Sequence, residues 1–150
     1  MTQNEIVQII TGALGSIGFA ILFNIRGKRL VAAAVGGLIS WLLFVVLNEY
    51  ISSEPVCYFL VALAISAYSD VLARVLKTPT TTFITTALIP LIPGGSLYYT
   101  MAYAFHGDLE TFLQKAIYTL QLASALALGI IVSTTLARIL LHRPTKPSIH

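Results

Sequence analysis

Ionisable and reactive side chains are scarce in this chain. Its 150 residues include 9 Lys or Arg, 6 Asp or Glu, 3 His and 1 Cys. A lone cysteine cannot close an internal disulfide, and Cys57 has no His and acid set beside it, so it reads as a small buried hydrophobe. His106, His142 and His150 are too scattered to ligate a metal, and no Ser-His-Asp or paired-carboxylate arrangement presents itself. The expectation is a protein without a metal, a cofactor or an enzyme activity. The glycine-rich GALGSIG at residues 12–18 lies inside an apolar run with no strand before it, which excludes a dinucleotide fingerprint. A net charge of +3 without interleaved aromatics gives no basis for nucleic-acid binding.

What is abundant is apolar surface. Hydrophobic residues make up 57% of the chain and the mean hydropathy is +0.85, far outside the range of soluble domains. An integral membrane protein follows, with lipid as its surroundings. A membrane helix needs roughly 20 residues, and the apolar runs fall at residues 6–25, 30–50, 56–76, 81–105 and 112–141. The expected fold is all-α, a single domain of five transmembrane helices, the fourth broken by Pro and Gly. The opening MTQNEIVQ carries no basic residue ahead of its apolar run, so it reads as the start of a permanent span and not as a cleaved signal.

Charge fixes the expected orientation. Arg26, Lys28 and Arg29 lie after span one, Arg74 and Lys77 end span three, and Arg138, Arg143 and Lys146 end span five. Glu5, Glu49, Glu54, Asp108 and Glu110 fall on the other side, with Lys115 as the basic exception. By the positive-inside rule the N-terminus is outside and the C-terminus inside. An odd number of spans would insert a second copy of the same unit upside down, the plan of inverted-repeat transporters.

Small residues recur at helical spacing: Gly12, Ser16, Ala20 and Asn24 in span one, Ala32, Gly36 and Ser40 in span two, and Ala125, Gly129, Ser133 and Ala137 in span five. Such stripes let helix backbones approach closely. Gln114, Tyr118 and Gln121 form a polar strip toward the outer end of span five, where amides meet a helix, a cavity or a substrate. In span three, Ser66, Asp70, Arg74 and Lys77 share one helical face, and Asp70 is the one acid inside a span other than Glu49 at the very end of span two. Asp70 and Arg74 are spaced to pair as an interfacial ion pair. The other reading makes Asp70 a coupling group that takes a cation or proton, or binds a substrate amine.

The densest signal is LIPLIPGGSLYYTMAY at residues 88–103. Each proline lacks an amide hydrogen, so Pro90 frees the carbonyl of Thr86 and Pro93 that of Ile89, where lipid offers no replacement donor. The amides of Gly94, Gly95 and Ser96 would then open a new helix with its positive dipole end, a site suited to a carboxylate. Broken helices of this kind are the best sequence pointer to a transport site. Thr86, Pro90, Pro93, Tyr98, Tyr99 and Tyr103 would line it, with Gln114 and Gln121 as further candidates.

These residues carry a resemblance. ALIPLIPGGSLYY at residues 87–99, GDLE at residues 107–110 and ALALGI at residues 125–130 resemble the small five-span component of the threonine/serine exporter family. The likeness runs from about span two onward. Its motif carries over to Pro90, Pro93, Gly94, Gly95 and Tyr98 alone. The resemblance implies a membrane subunit of a secondary exporter, in a bacterial cytoplasmic membrane, that works with a larger transmembrane subunit. Its expected cargo is a small carboxylate-bearing metabolite, either threonine and serine or a dicarboxylate such as succinate. A homo-oligomeric channel and a non-transporting structural or regulatory partner are the competing expectations.

Overall fold

The computed structural model describes residues 3–141, and these are helical almost throughout. Helices α1 (Gln3–Leu22), α2 (Lys28–Tyr50) and α3 (Glu54–Val75) are joined by short turns. Next come α4 (Thr80–Leu88), a single 3₁₀ turn (Ile89–Leu91), α5 (Gly94–Phe105) and α6 (Leu109–Leu141). Arg143, Lys146, His142 and His150 lie outside the described residues.

Among the described residues, three helices are long and apolar enough to cross a membrane unaided: Lys28–Tyr50, Glu54–Val75 and Leu109–Ile139. Ile6–Leu22 and Thr80–Leu91 are shorter apolar helices. Each of the five apolar runs of the sequence holds helix, the fourth interrupted as expected, and their ends shift for local reasons. α1 stops at Leu22 because Asn24 takes the left-handed conformation (φ 58°), and the Ile25 amide reaches the Ala20 carbonyl at 2.9 Å while that of Asn24 reaches Ile21 at 2.9 Å. Asn24 is thus an exposed cap and not the fourth member of a packing stripe. Lys77 (φ 47°) ends α3 in a related way, with Thr78 N–H on the Ala73 carbonyl at 2.9 Å. Lys77 has therefore left the helical face shared by Ser66, Asp70 and Arg74. Gly107 (φ 74°) ends α5, and Asp108 at once caps α6 by accepting the Thr111 amide at 3.1 Å.

Small residues set the helix crossings. A Cβ at Gly37 would overlap the Oγ and Cβ of Ser16, so α1 and α2 touch backbone to side chain. A Cβ at Gly36 would stand 2.9 Å from the Cβ of Ala87, which seats α4 against α2. At Gly129 it would fall 2.5 Å from the Phe59 carbonyl and 2.8 Å from the Ala62 Cβ, which brings α6 onto α3. The last contact belongs to the Ala125, Gly129, Ser133 stripe; Gly37, beside the stripe of Ala32, Gly36 and Ser40, is a contact the spacing alone does not single out.

α4 and the 3₁₀ turn sit against α1, α2 and α3, whereas α5 packs chiefly on α6. Leu88, Leu91, Ile65, Phe44 and Leu122 share one core cluster, and Ala20, Ala33, Ala73 and Phe83 another. α3 and α6 run side by side in the same direction: Tyr118 donates to the Glu54 carboxylate at one end, Gly129 meets Phe59 midway, and Ser133 and Ala137 border Asp70 and Arg74 at the other. The bundle consequently gathers Arg74 and Arg138 at one end and Glu54 and Glu110 at the opposite one. Because Leu109 precedes Tyr118, α6 overhangs the start of α3 by about 14 Å at 1.5 Å per residue, and α5 folds back along that overhang.

Two outcomes follow from these contacts. Gly129→Val forces α3 and α6 apart and should destabilise the chain by about 1–3 kcal/mol, read as a lower thermal midpoint in detergent. Gly18→Ala, where a Cβ meets nothing within 4 Å, should not lower it. The Thr111 hydroxyl and amide hold the exposed Asp108 carboxyl below its usual range. Its capping contribution is thus present above the ordinary Asp value and is lost as pH falls through the lowered one. Amide exchange over the first turn of α6 should accelerate at that lower pH, and Asp108→Ala should make the exchange fast at neutral pH.

Candidate functional site

The helix break occupies Ile89–Pro93. Pro90 tightens the end of α4 into the 3₁₀ turn, and Ile92 takes an extended conformation (φ −61°, ψ 123°) before Pro93, as the residue preceding a proline prefers. Part of the predicted polarity is absorbed locally. The Ile89 carbonyl, freed by Pro93, accepts the Ile92 amide at 3.2 Å, and the Gly94 amide turns to the Ile92 carbonyl at 2.6 Å. The first backbone bond carried into α5 is Leu97 N–H to Pro93 at 3.0 Å, which leaves the amides of Gly95 and Ser96 as the helix-start donors. Gly94 and Gly95 are exposed, and a Cβ on either would meet nothing within 4 Å. Neither turn geometry nor packing within this chain requires glycine there.

The other candidates are distributed around this break. Thr86 is fully buried, and its hydroxyl bonds back to Thr82 (3.1 Å) and Phe83 (3.2 Å), so it stiffens α4 and does not face open space. Ser96 Oγ lies 2.7 Å from Thr119 Oγ1, Thr100 Oγ1 is 3.1 Å from the same atom, and this hydroxyl cluster fastens α5 to α6. Tyr98 and Tyr99 are 69% and 59% exposed and meet edge to face at 5.5 Å, while Tyr103 is half-buried. Gln114 is exposed, and Gln121 borders a shallow recess with Ser53 and Pro55, away from the break. Tyr118, between them, is committed to Glu54. The Gln strip and the break are thus separate features.

Beside the break lies a recess of about 290 Å³ lined by Pro90, Ile89, Gly12, Gly15, Gln8, Thr11 and Trp41. Gly12 makes room for it, since a Cβ there would stand 3.3 Å from Pro90 Cβ. The Trp41 ring meets that of Phe44 at a tilt, with centroids 5.1 Å apart, and its indole Nε1 is buried without a hydrogen-bond partner. A buried N–H that bonds to nothing is costly and calls for an acceptor. Sequence reading passed over Gln8, Thr11 and Trp41; the signal that could have found Trp41 is that it is the one Trp of the chain, placed mid-span.

Asp70 and Arg74 border a different cleft, between α3 and α6. No ion pair joins them: Arg74 is exposed near the end of α3, and Asp70 Oδ2 is buried without a partner.

A sequence model of one family, described as Threonine/Serine exporter, ThrE, matches residues 8–136. The chain belongs to this exporter family. The match begins within α1 and ends within α6, so it takes in the break and also the first helix, which the residue-level resemblance did not reach. The exporter family is one of membrane transporters and not of enzymes, in agreement with the apolar helices. Comparison with curated proteins and with solved structures gives no match.

The hydroxyl cluster makes its own test. Thr119→Val removes the partner shared by Ser96 and Thr100, at a cost of about 0.5–1.5 kcal/mol for each bond lost. Amide exchange in α5 should rise while that of α2 and α3 stays unchanged.

Proposed function

We propose that this exporter-family chain is one subunit of a secondary exporter that moves small carboxylate-bearing metabolites, threonine and serine or a dicarboxylate such as succinate, outward by alternating access. The observation that carries this reading is the proline break with unspent donors on both sides of it. The amides of Gly95 and Ser96 open α5, and the buried Nε1–H of Trp41 has no acceptor beside Pro90. Helix-start amides and an indole N–H are donors without a competing negative charge, which suits a carboxylate. Gly12 and Gly15 keep the recess wide enough for a ligand of a few heavy atoms.

In this reading the chain crosses the bacterial cytoplasmic membrane five times, with α4 and α5 together forming the fourth span and α1 the first. The N-terminus is outside, and the end bearing Arg74 and Arg138 is inside. The exposure of Gly94, Gly95, Tyr98 and Phe105, the last 88% exposed, supports a site completed by a larger partner subunit. The parallel course of α3 and α6 supports their expected common orientation.

Counterflow in liposomes tests the reading, using the full chain together with whatever larger subunit co-purifies, and serine, threonine and succinate as cargo. Trp41→Phe keeps an aromatic ring against Phe44 and removes the N–H, and Gly95→Val covers the helix-start amides. Each should lower the apparent affinity about 10-fold or more, the scale of a hydrogen bond to a charged group, with co-purification intact. Unchanged counterflow in both variants would refute the site. Flux without saturation would indicate a channel instead.

A further inference from the structure

Besides the break, the chain holds a second polar feature that the substrate reading does not use. Between α3 and α6 lies a cleft of about 450 Å³ whose walls are largely aliphatic, Leu63, Val71 and Leu136 among them. Asp70, Ser133 and Arg74 are the polar residues that border it. Asp70 Oδ2 is buried without a partner, and so are the hydroxyls of Ser66, one turn before it, and of Ser69, beside it; both serines are fully buried. Thr85, Thr86, Thr100, Thr119 and Thr134 all bond to the carbonyl four residues back, whereas Ser66 and Ser69, like Ser16 in α1, do not.

Asp70 as a whole is half-buried, and its one buried, unpartnered oxygen in an apolar cleft favours a positive charge or a proton there. Three sources of either can be compared. Arg74 does not supply the charge, being exposed. A substrate amine fits poorly, because the α5 donors and Asp70 are far apart. Ser96 is bonded to Thr119, whereas Asp70 lies beside Ser133, and the two α6 positions are separated by about 21 Å at 1.5 Å per residue. No amino acid of the proposed size spans that gap. A metal cation takes about six or more oxygens, and among the side chains bordering the cleft only the carboxylate of Asp70 and the hydroxyl of Ser133 offer any. A proton needs a single oxygen.

The geometry points to Asp70 as the proton-carrying site of this chain, spatially separate from the substrate recess. The carboxylate accepts a proton when the cleft opens to one side and releases it to the other, so no group beyond Asp70 changes its bonding. The charged groups around it are few. α6 offers Arg138, just past Ala137; α4 has no ionisable side chain; α2 has Lys28 and Arg29 only in its exposed first turn. Tyr68 is spent on the Ala32 carbonyl at 3.0 Å. The coupling direction rests on the exporter reading, but the protonation does not.

Infrared difference spectroscopy of the purified full chain in lipid discs, titrated with acid and without substrate, tests the protonation directly. A protonated-carboxyl band should appear on acidification, vanish in Asp70→Asn and return in Asp70→Glu. It should be indifferent to replacement of potassium by sodium. No such band, the same band in Asp70→Asn, or displacement of the band by sodium would each overturn the proposal. In liposomes with the co-purified partner, an imposed pH gradient should accelerate succinate or threonine flux in the native chain and lose that effect in Asp70→Asn; acceleration that survives the substitution would overturn the coupling role. If the band behaves as expected but no cargo moves, the exporter reading fails and the proton site stands.

Discussion

Helices surrounded by lipid gain no hydrophobic advantage by touching one another, so their association depends on how closely their backbones can approach. In this chain the decisive approach is at Gly129, where α6 lies against the Phe59 carbonyl and Ala62 with no room for a Cβ. There α3 and α6, which run in the same direction, come into close contact. With the Tyr118 to Glu54 hydrogen bond near one end it fixes their register, so that the stretch beyond it opens into the cleft beside Asp70. α5, in turn, is fastened mainly to α6. The position of the second half of the broken helix thus depends on a glycine in the following helix, well beyond the end of α5.

The break and the crossing solve complementary problems. α4 is drawn into the core by Gly36, Phe83 and Leu88, and α5 is drawn outward by Thr119. A continuous helix could not serve both. Pro90 and Pro93 supply the change of direction, and the backbone groups they release are partly reclaimed by Ile92 and Gly94. What is left over is small and specific: two amides at the start of α5 and an indole N–H beside the 3₁₀ turn.

Much of this was legible in the sequence because it rests on local rules. Two prolines in an apolar run announced a break, and the break is there; the stripe at Ala125, Gly129 and Ser133 announced a close crossing, and α3 fills it. Other features depend on residues remote in sequence and left no such mark. Spacing could not show that Ser16 meets Gly37, that Tyr118 would be occupied by Glu54, or that Trp41 would stand beside Pro90. Periodicity also misled where the backbone leaves the helix: Asn24 and Lys77 fit their stripes by count, yet both adopt the left-handed conformation that ends the helix. The pairing of Asp70 with Arg74 failed for a related reason, since spacing brings two side chains onto one face but does not decide which of them prefers water.

The overhang of α6 sets a problem of lengths. α3 has 22 residues and α6 has 33, and the two run in the same direction, locked at Gly129. A slab of hydrocarbon about 30 Å deep matches the shorter helix and leaves the longer one projecting or tilted. Because α5 lies along the projecting part, bilayer thickness acts on the very segment that carries the helix-start amides. A thicker membrane would submerge the α5–α6 hairpin and a thinner one would expose it, making lipid chain length a variable to which this chain's geometry is unequally sensitive along its two parallel helices.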